Sequence, residues 1–139
     1  MPTRDHGLLA QVRRSLRALN GAIEAGSKAA GLTVQQQGFL LSLAARGGRD
    51  VPLAELRADL SMDQATASEL LARLARRGLV RRKTDSDRRA LRVSLTSGGR
   101  LRFRRSVRSI RREIRAADAR GELRAMRQSL RAYLAFYVE

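Results

Sequence analysis

The side chains richest in chemistry stand between residues 60 and 90. Gln64, Ala65, Thr66, Ser68 and Glu69 open an apolar-periodic segment, and Arg73 follows one turn later. Lys83, Asp85, Asp87, Arg88 and Arg89 come next, in a short polar stretch. Amides, hydroxyls and guanidinium forks at this spacing suit hydrogen bonding to a polyanion rather than covalent chemistry. A glutamine can bond an adenine edge, and a small apolar group can touch a thymine methyl. Arginine forks bind phosphate and are drawn into narrow minor grooves. No nucleophile, base or metal constellation accompanies them, so an enzyme is not expected. Asp85 and Asp87 look like a carboxylate pair, but they sit beside two arginines on a hairpin loop and are read as structural.

Composition agrees with that chemistry. The 29 Lys and Arg against 13 Asp and Glu give a net charge of +16, which points to a polyanionic partner. Lys28 and Lys83 are the only lysines. A GC-rich genome explains most of that ratio, but not the size of the charge. With 43% hydrophobic residues in 139, the chain is a folded domain and not a basic tail. The absence of Cys excludes disulfides, zinc fingers and thiol redox sensing. His6, the single histidine, is read as a surface residue, and no cofactor or metal is expected. No apolar run reaches the length of a membrane span and no signal peptide opens the chain, so a cytoplasmic protein without a membrane partner is expected.

Periodicity places these groups on elements. Leu9, Val12, Leu16, Leu19 and Ile23 mark one face of a first helix ending near Gly26 to Gly31. Thr33 and Gln36 form a capping box for a second helix through Phe39, Leu40, Leu43 and Ala44, stopped at Gly47-Gly48. Val51-Pro52 reads as an extended link. Leu53–Leu60 is a short third helix with Leu56 and Leu60 inward. Asp63 caps a fourth, running to about Arg77, with Ala67, Leu70, Leu71 and Leu74 toward the core and Gly78 as its left-handed stop. So short a turn between two helices predicts a helix-turn-helix. The alternation in Leu91–Leu95 predicts a half-buried strand paired with Leu79–Lys83. Thr96 caps a long helix with Leu101, Val107, Ile110 and Ile114 on one face, which Gly121 ends. Its many arginines, from Arg100 to Arg115, read as a solvated face. A last helix carries Leu123, Met126, Leu130, Leu134 and Tyr137.

The terminal helices hold more apolar surface than one small domain can cover. Leu8, Leu9, Leu16, Ile23, Leu130, Leu134, Phe136 and Tyr137 would leave an unusually large patch on a monomer, so a homodimer joined through its termini is expected. Leu9, Leu16, Leu130, Leu134 and Tyr137 are the candidate dimerisation residues.

Several pieces, in order and at matching spacing, resemble the MarR (multiple antibiotic resistance regulator) family. They are Leu32-Thr33 with Gln36, Glu55-Leu56 with Leu60, Arg73-Leu74 with Arg77-Gly78-Leu79-Val80, Asp87-Arg88-Arg89-Ala90, and Leu95-Thr96 with Gly99. The resemblance covers Leu32 to Gly99 and fades toward both ends. It implies a mainly α fold with a small β-wing: a winged helix-turn-helix with about six helices and a two- to three-stranded hairpin sheet. It reads 1–139 as a single domain, with 33–99 as the DNA-binding part and 5–31 and 100–139 as the helical dimerisation part. It also implies a repressor that binds a pseudo-palindromic operator in double-stranded DNA as a homodimer, often released by a small aromatic or phenolic effector. A pocket for that effector is expected where the first, second and fifth helices meet, although 4% aromatic residues offer little to stack on such a ligand.

By the same resemblance Arg73 contacts phosphate or braces the wing, with Asp87 as its expected partner there. Arg89 is the candidate minor-groove residue, positioned by Asp87, with Arg88 and Lys83 on the backbone. Glu69 departs from the family pattern, which favours a basic or neutral residue there. Pairing with Arg73 is the expected role, with a cytosine amino group as the alternative. Two other readings share the charge: an architectural protein with little sequence preference, and a module that docks an acidic protein. Specificity over random DNA separates the first, and loss of all duplex affinity at physiological salt would favour the second.

Overall fold

The computed structural model describes residues 3–84 and 90–127. They divide into two compact units, 27–107 and 3–26 with 108–127. Along the chain run α1 (Thr3–Ala29), α2 (Val34–Ala45), β1 (Val51–Pro52), α3 (Leu53–Leu60), α4 (Gln64–Arg76), β2 (Val80–Thr84), β3 (Leu91–Leu95) and α5 (Ser97–Ala119). Residues 124–127 are again helical. No helix among the described residues is long and apolar enough to cross a membrane.

Local chemistry sets the element ends in the 27–107 unit. The Thr33 hydroxyl accepts from the Gln36 N–H, and the Gln36 side chain accepts from the Thr33 N–H, both at 3.1 Å, completing the expected capping box. Ser61, in the left-handed region at φ 50°, turns the chain between α3 and α4. Asp63 then caps α4 by accepting from the Thr66 N–H at 2.7 Å. Gly78, at φ 71°, ends α4, and its successor Leu79 donates back to the Leu74 carbonyl.

Val51-Pro52 is not a mere link. It forms the edge strand of an antiparallel sheet in the order β1-β3-β2, with Val51 opposite Val93 and Pro52 opposite Arg92. An edge position suits proline, whose missing N–H leaves no ladder bond unmade. β2 starts at Val80, one residue later than expected, and pairs Val80 with Leu95 and Lys83 with Arg92. The core joins α2, α3, α4 and the sheet through Phe39, Leu40, Leu43, Leu56, Leu71, Leu74 and Val93, all fully buried.

In the other unit the buried face of α1 is rotated from the expected stripe. Val12, Ser15, Ala22 and Gly26 are buried, whereas Leu16 is 42% exposed and Leu9, Leu19 and Ile23 are only half-buried. Small residues win because the helices pass closely: a Cβ on Gly26 would lie 2.5 Å from the Ile110 Cα. Ser15 is tolerated inside because its hydroxyl donates to the Glu122 carbonyl at 2.7 Å. Ala117 and Leu123 are also buried.

Along α5 the seam holds Ser106 and Ala117, which are buried, with Phe103, Val107, Ile110 and Ile114 half-buried. Leu101 falls off it and is half exposed, since five residues of helix turn it about 140° from Ser106. Leu130, Leu134, Phe136 and Tyr137 lie outside the described residues.

The sheet joins α5 through one tight junction. The Thr96 hydroxyl donates to the Gly78 carbonyl at 2.6 Å and accepts from the Gly99 N–H at 2.9 Å. A Cβ on Gly99 would collide with the Leu79 carbonyl oxygen. Gly99→Ala should therefore destabilise the fold by about 1–3 kcal/mol, the usual cost of overpacking. Urea denaturation measures this, and an unchanged midpoint would show that the junction yields freely.

Candidate nucleic-acid interface

Helix α4 divides cleanly around its axis. Ala67, Leu70, Leu71 and Leu74 are buried, while Gln64, Ala65, Ser68, Glu69 and Arg73 are exposed and Thr66 is half exposed. All six sequence-predicted contact residues of this helix thus lie off its buried seam, four of them in the first five residues. Glu69 accepts from the Arg73 Nη2 at 2.6 Å. An exposed i,i+4 pair of this kind contributes only ~0.3–0.5 kcal/mol, so its effect is to orient the arginine rather than to hold the helix. Thr66, Glu69 and Arg73 line a small recess of about 170 Å³ with Gln35 of α2.

Gln64 is less free than the sequence suggested. Its Oε1 accepts a hydrogen bond from the Arg57 Nη1 at 2.9 Å, so its amide does not face outward with both functions open.

Three arginines brace the unit around α4, and periodicity gave no sign of two of them. Arg46, at the end of α2, donates to Asp59 at 2.7 Å and to Glu55 at 3.0 Å, locking α2 onto α3. Ser42 adds a 2.6 Å bond to Asp59. Arg77 donates to the Gly31 carbonyl at 2.7 Å and to Gln36 Oε1 at 3.1 Å. Arg102, expected on a solvated face, donates instead to the Ala30 carbonyl at 3.1 Å. Only Arg77 stood in a recognisable motif. The Arg46 guanidinium, helped by the Ser42 hydroxyl, holds the Asp59 carboxyl well below the usual carboxylate range, and Asp59 raises Arg46 in turn. Asp63 is lowered chiefly by the Thr66 backbone N–H that it caps.

Beside the sheet lies a groove of about 510 Å³, lined by Arg49, Arg81, Arg82, Lys83 and Arg100 against the single carboxylate of Asp50. Lys83 is exposed on β2, as the wing reading requires. Asp85, Asp87, Arg88 and Arg89 lie outside the described residues. No group of three or more His, Cys, Asp or Glu among the described residues is placed to hold a metal.

Residues 34–99, the span from α2 to the start of α5, match the winged helix DNA-binding domain family. A MarR-family transcriptional regulator from Silicibacter pomeroyi is 29% identical, with 91% of this chain and 86% of that one covered at a TM-score of 0.63. A probable transcriptional regulator from Pseudomonas aeruginosa is 31% identical over 88% of this chain and 93% of its own, at 0.66. This chain belongs to the MarR family. It is similar also to MOSR, a transcriptional regulator of M. tuberculosis solved in complex with DNA, at 26% identity over 86% and 92% of the two chains and a TM-score of 0.59. No curated protein matches the sequence. Within a MarR-type winged helix DNA-binding regulator, α3 and α4 are the helix-turn-helix and the β2–β3 hairpin is the wing.

The Arg46–Asp59 brace makes stability pH-dependent. A carboxyl whose folded pKa lies below its unfolded value stabilises the fold above the ordinary range, about pH 4. That stabilisation is lost as pH falls from there toward the depressed folded value. Asp59→Asn should lower the thermal midpoint at neutral pH and flatten its decline below pH 4. Parallel acid limbs for the two proteins would show that the brace carries no such linkage.

Proposed function

We propose that the protein is a repressor that binds a pseudo-palindromic operator in double-stranded DNA as a homodimer. The observation that carries this reading is the polar outer face of α4, in a unit whose groove beside the sheet sets five cations against one carboxylate. In this reading α4 enters the major groove, with Ala65 or Thr66 against a thymine methyl and Ser68 on a base or phosphate. Arg73, oriented by Glu69, reaches phosphate. Lys83 and Arg88 follow the backbone, and Arg89, positioned by Asp87, enters the minor groove.

Leu9 and Leu16 support the dimer. The close approach of small residues at Gly26 turns them away from the buried seam of α1, and an apolar partner would cover them. Leu130, Leu134 and Tyr137 belong to the same proposed interface. An effector has a further candidate seat in a cleft of about 720 Å³ lined by Arg14, Arg17, Arg120 and Arg124 with Gln11 and Ser15, and by Glu122, which pairs with Arg120. Its guanidinium-rich wall suits a small carboxylate-bearing molecule more than a stacked aromatic ring.

Selection of bound sites from random duplexes tests the function. An inverted repeat should emerge, with half-sites about one helical turn apart and bound roughly a thousandfold or more above random DNA. Equal binding of all sequences would instead establish an architectural protein. On the selected site, Arg89→Ala should cost roughly 1–3 kcal/mol in gel-shift titrations at fixed salt. Affinity should fall steeply with salt as counterions are released, and a flat response would exclude a phosphate-dominated interface.

The dimer has its own check. Leu16→Arg should shift the mass measured by light scattering from two chains to one and weaken operator binding. An unchanged mass would remove α1 from the interface.

A further inference from the structure

We propose that Arg57 sets the base preference of Gln64 by occupying its amide oxygen, so that Gln64 meets DNA as a donor to guanine rather than as a bidentate reader of adenine. The inference rests on the reading of α4 as the major-groove helix.

A guanidinium carries five N–H donors and no acceptor. The Gln64 atom that lies 2.9 Å from the Arg57 Nη1 must therefore be the oxygen, and the amide nitrogen is turned to the other side. Arg57 does not swing freely. It is half-buried, and its Nε is enclosed without a hydrogen-bond partner. The Asp63 carboxylate lies near enough for Arg57 to lower its pKa. Arg57 is thus fixed beside the cap of α4, and Gln64 is the first helical residue after that cap.

An unclamped glutamine recognises adenine by accepting from N6 and donating to N7. Here the accepting function is engaged, and the guanidinium behind it places positive charge where the adenine amino group would have to approach. Guanine offers two acceptors, O6 and N7, to the same part of the groove. The two amide hydrogens of Gln64 suit that edge, and the nearby cation favours it further. Cytosine, with an amino donor, is disfavoured on both grounds. Holding the amide in one orientation also removes rotamer freedom that binding would otherwise cost. Arg57 acts as a positioning residue and needs no base contact of its own.

The test is selection of binding sites from random duplexes by the full-length protein and three variants. Gln64→Ala identifies the position that Gln64 reads, because base preference there disappears. At that position the unaltered protein should favour guanine over adenine by about fivefold or more. Arg57→Met, which keeps the length and apolar stem but frees the oxygen, should move the preference to adenine while the rest of the motif stays unchanged. Gln64→Glu should move it to cytosine, since a carboxylate has only acceptors to offer. The unaltered protein's own choice between guanine and adenine at that position answers the question even if Arg57→Met folds poorly. Adenine in the unaltered protein's motif, or a preference indifferent to Arg57→Met in a folded variant, overturns the proposal and leaves the DNA-binding reading intact. Failure of the unaltered protein to enrich any site overturns both.

Discussion

The rotation of α4 about its own axis is the constraint on which the rest depends. Four side chains, Ala67, Leu70, Leu71 and Leu74, fix it by burying one stripe of the helix against α2 and α3. A turn of one residue, about 100°, would bury Ser68 and expose Leu70 and Leu74, at a cost of several kcal/mol in lost apolar burial and an unsatisfied hydroxyl. The outward set of Gln64, Ala65, Ser68, Glu69 and Arg73 is therefore decided by the core, before any DNA contact exists. Interaction strength at the surface follows from packing inside.

Charge is distributed to the same end. The described ion pairs place Glu55 and Asp59 on Arg46, Glu69 on Arg73, Glu122 on Arg120 and Asp118 on Arg127. Arg77 and Arg102 satisfy themselves on backbone carbonyls at the turn that follows α1, where helix-end oxygens attract cations. The groove beside the sheet receives one carboxylate for five cations. Crowding them into a concave surface is unfavourable in the free protein and becomes favourable beside phosphates, which is why the excess positive charge belongs with function rather than folding.

Much of the fold was legible because its determinants are local. The Thr33–Gln36 box, the Asp63 cap, the left-handed Gly78 and the alternation of Val93 and Leu95 each follow from residues within four positions of one another. The face of α1 was misjudged because leucines at regular spacing outweighed Ser15 and Gly26, whose small size matters only once α5 lies alongside. Arg77 stood in a recognisable motif, but its partner lies 46 residues away; Arg102 finds its own 72 residues away, and among so many arginines nothing local marks it. Pro52 was legible as extended, but its partner Arg92 lies across the sheet. Of the site, the outward positions on α4 were readable from the helical period. The state of Gln64 was not, because Arg57 sits on the preceding helix.

That last point separates where a recognition residue lies from what it presents. Period and burial decide that Gln64 faces outward, and any glutamine in that place would do the same. Which of its two functions remains open depends on a neighbour that faces it across the α3–α4 turn. A charge-assisted hydrogen bond is roughly twice as strong as a neutral one, so a base edge must compete with the guanidinium for the oxygen. A contact code read from helix positions alone treats the amide as unengaged and assigns it adenine. Here the residue one helix earlier enters the code, and α3 contributes to sequence choice through the hydrogen bond it makes, without having to reach the groove.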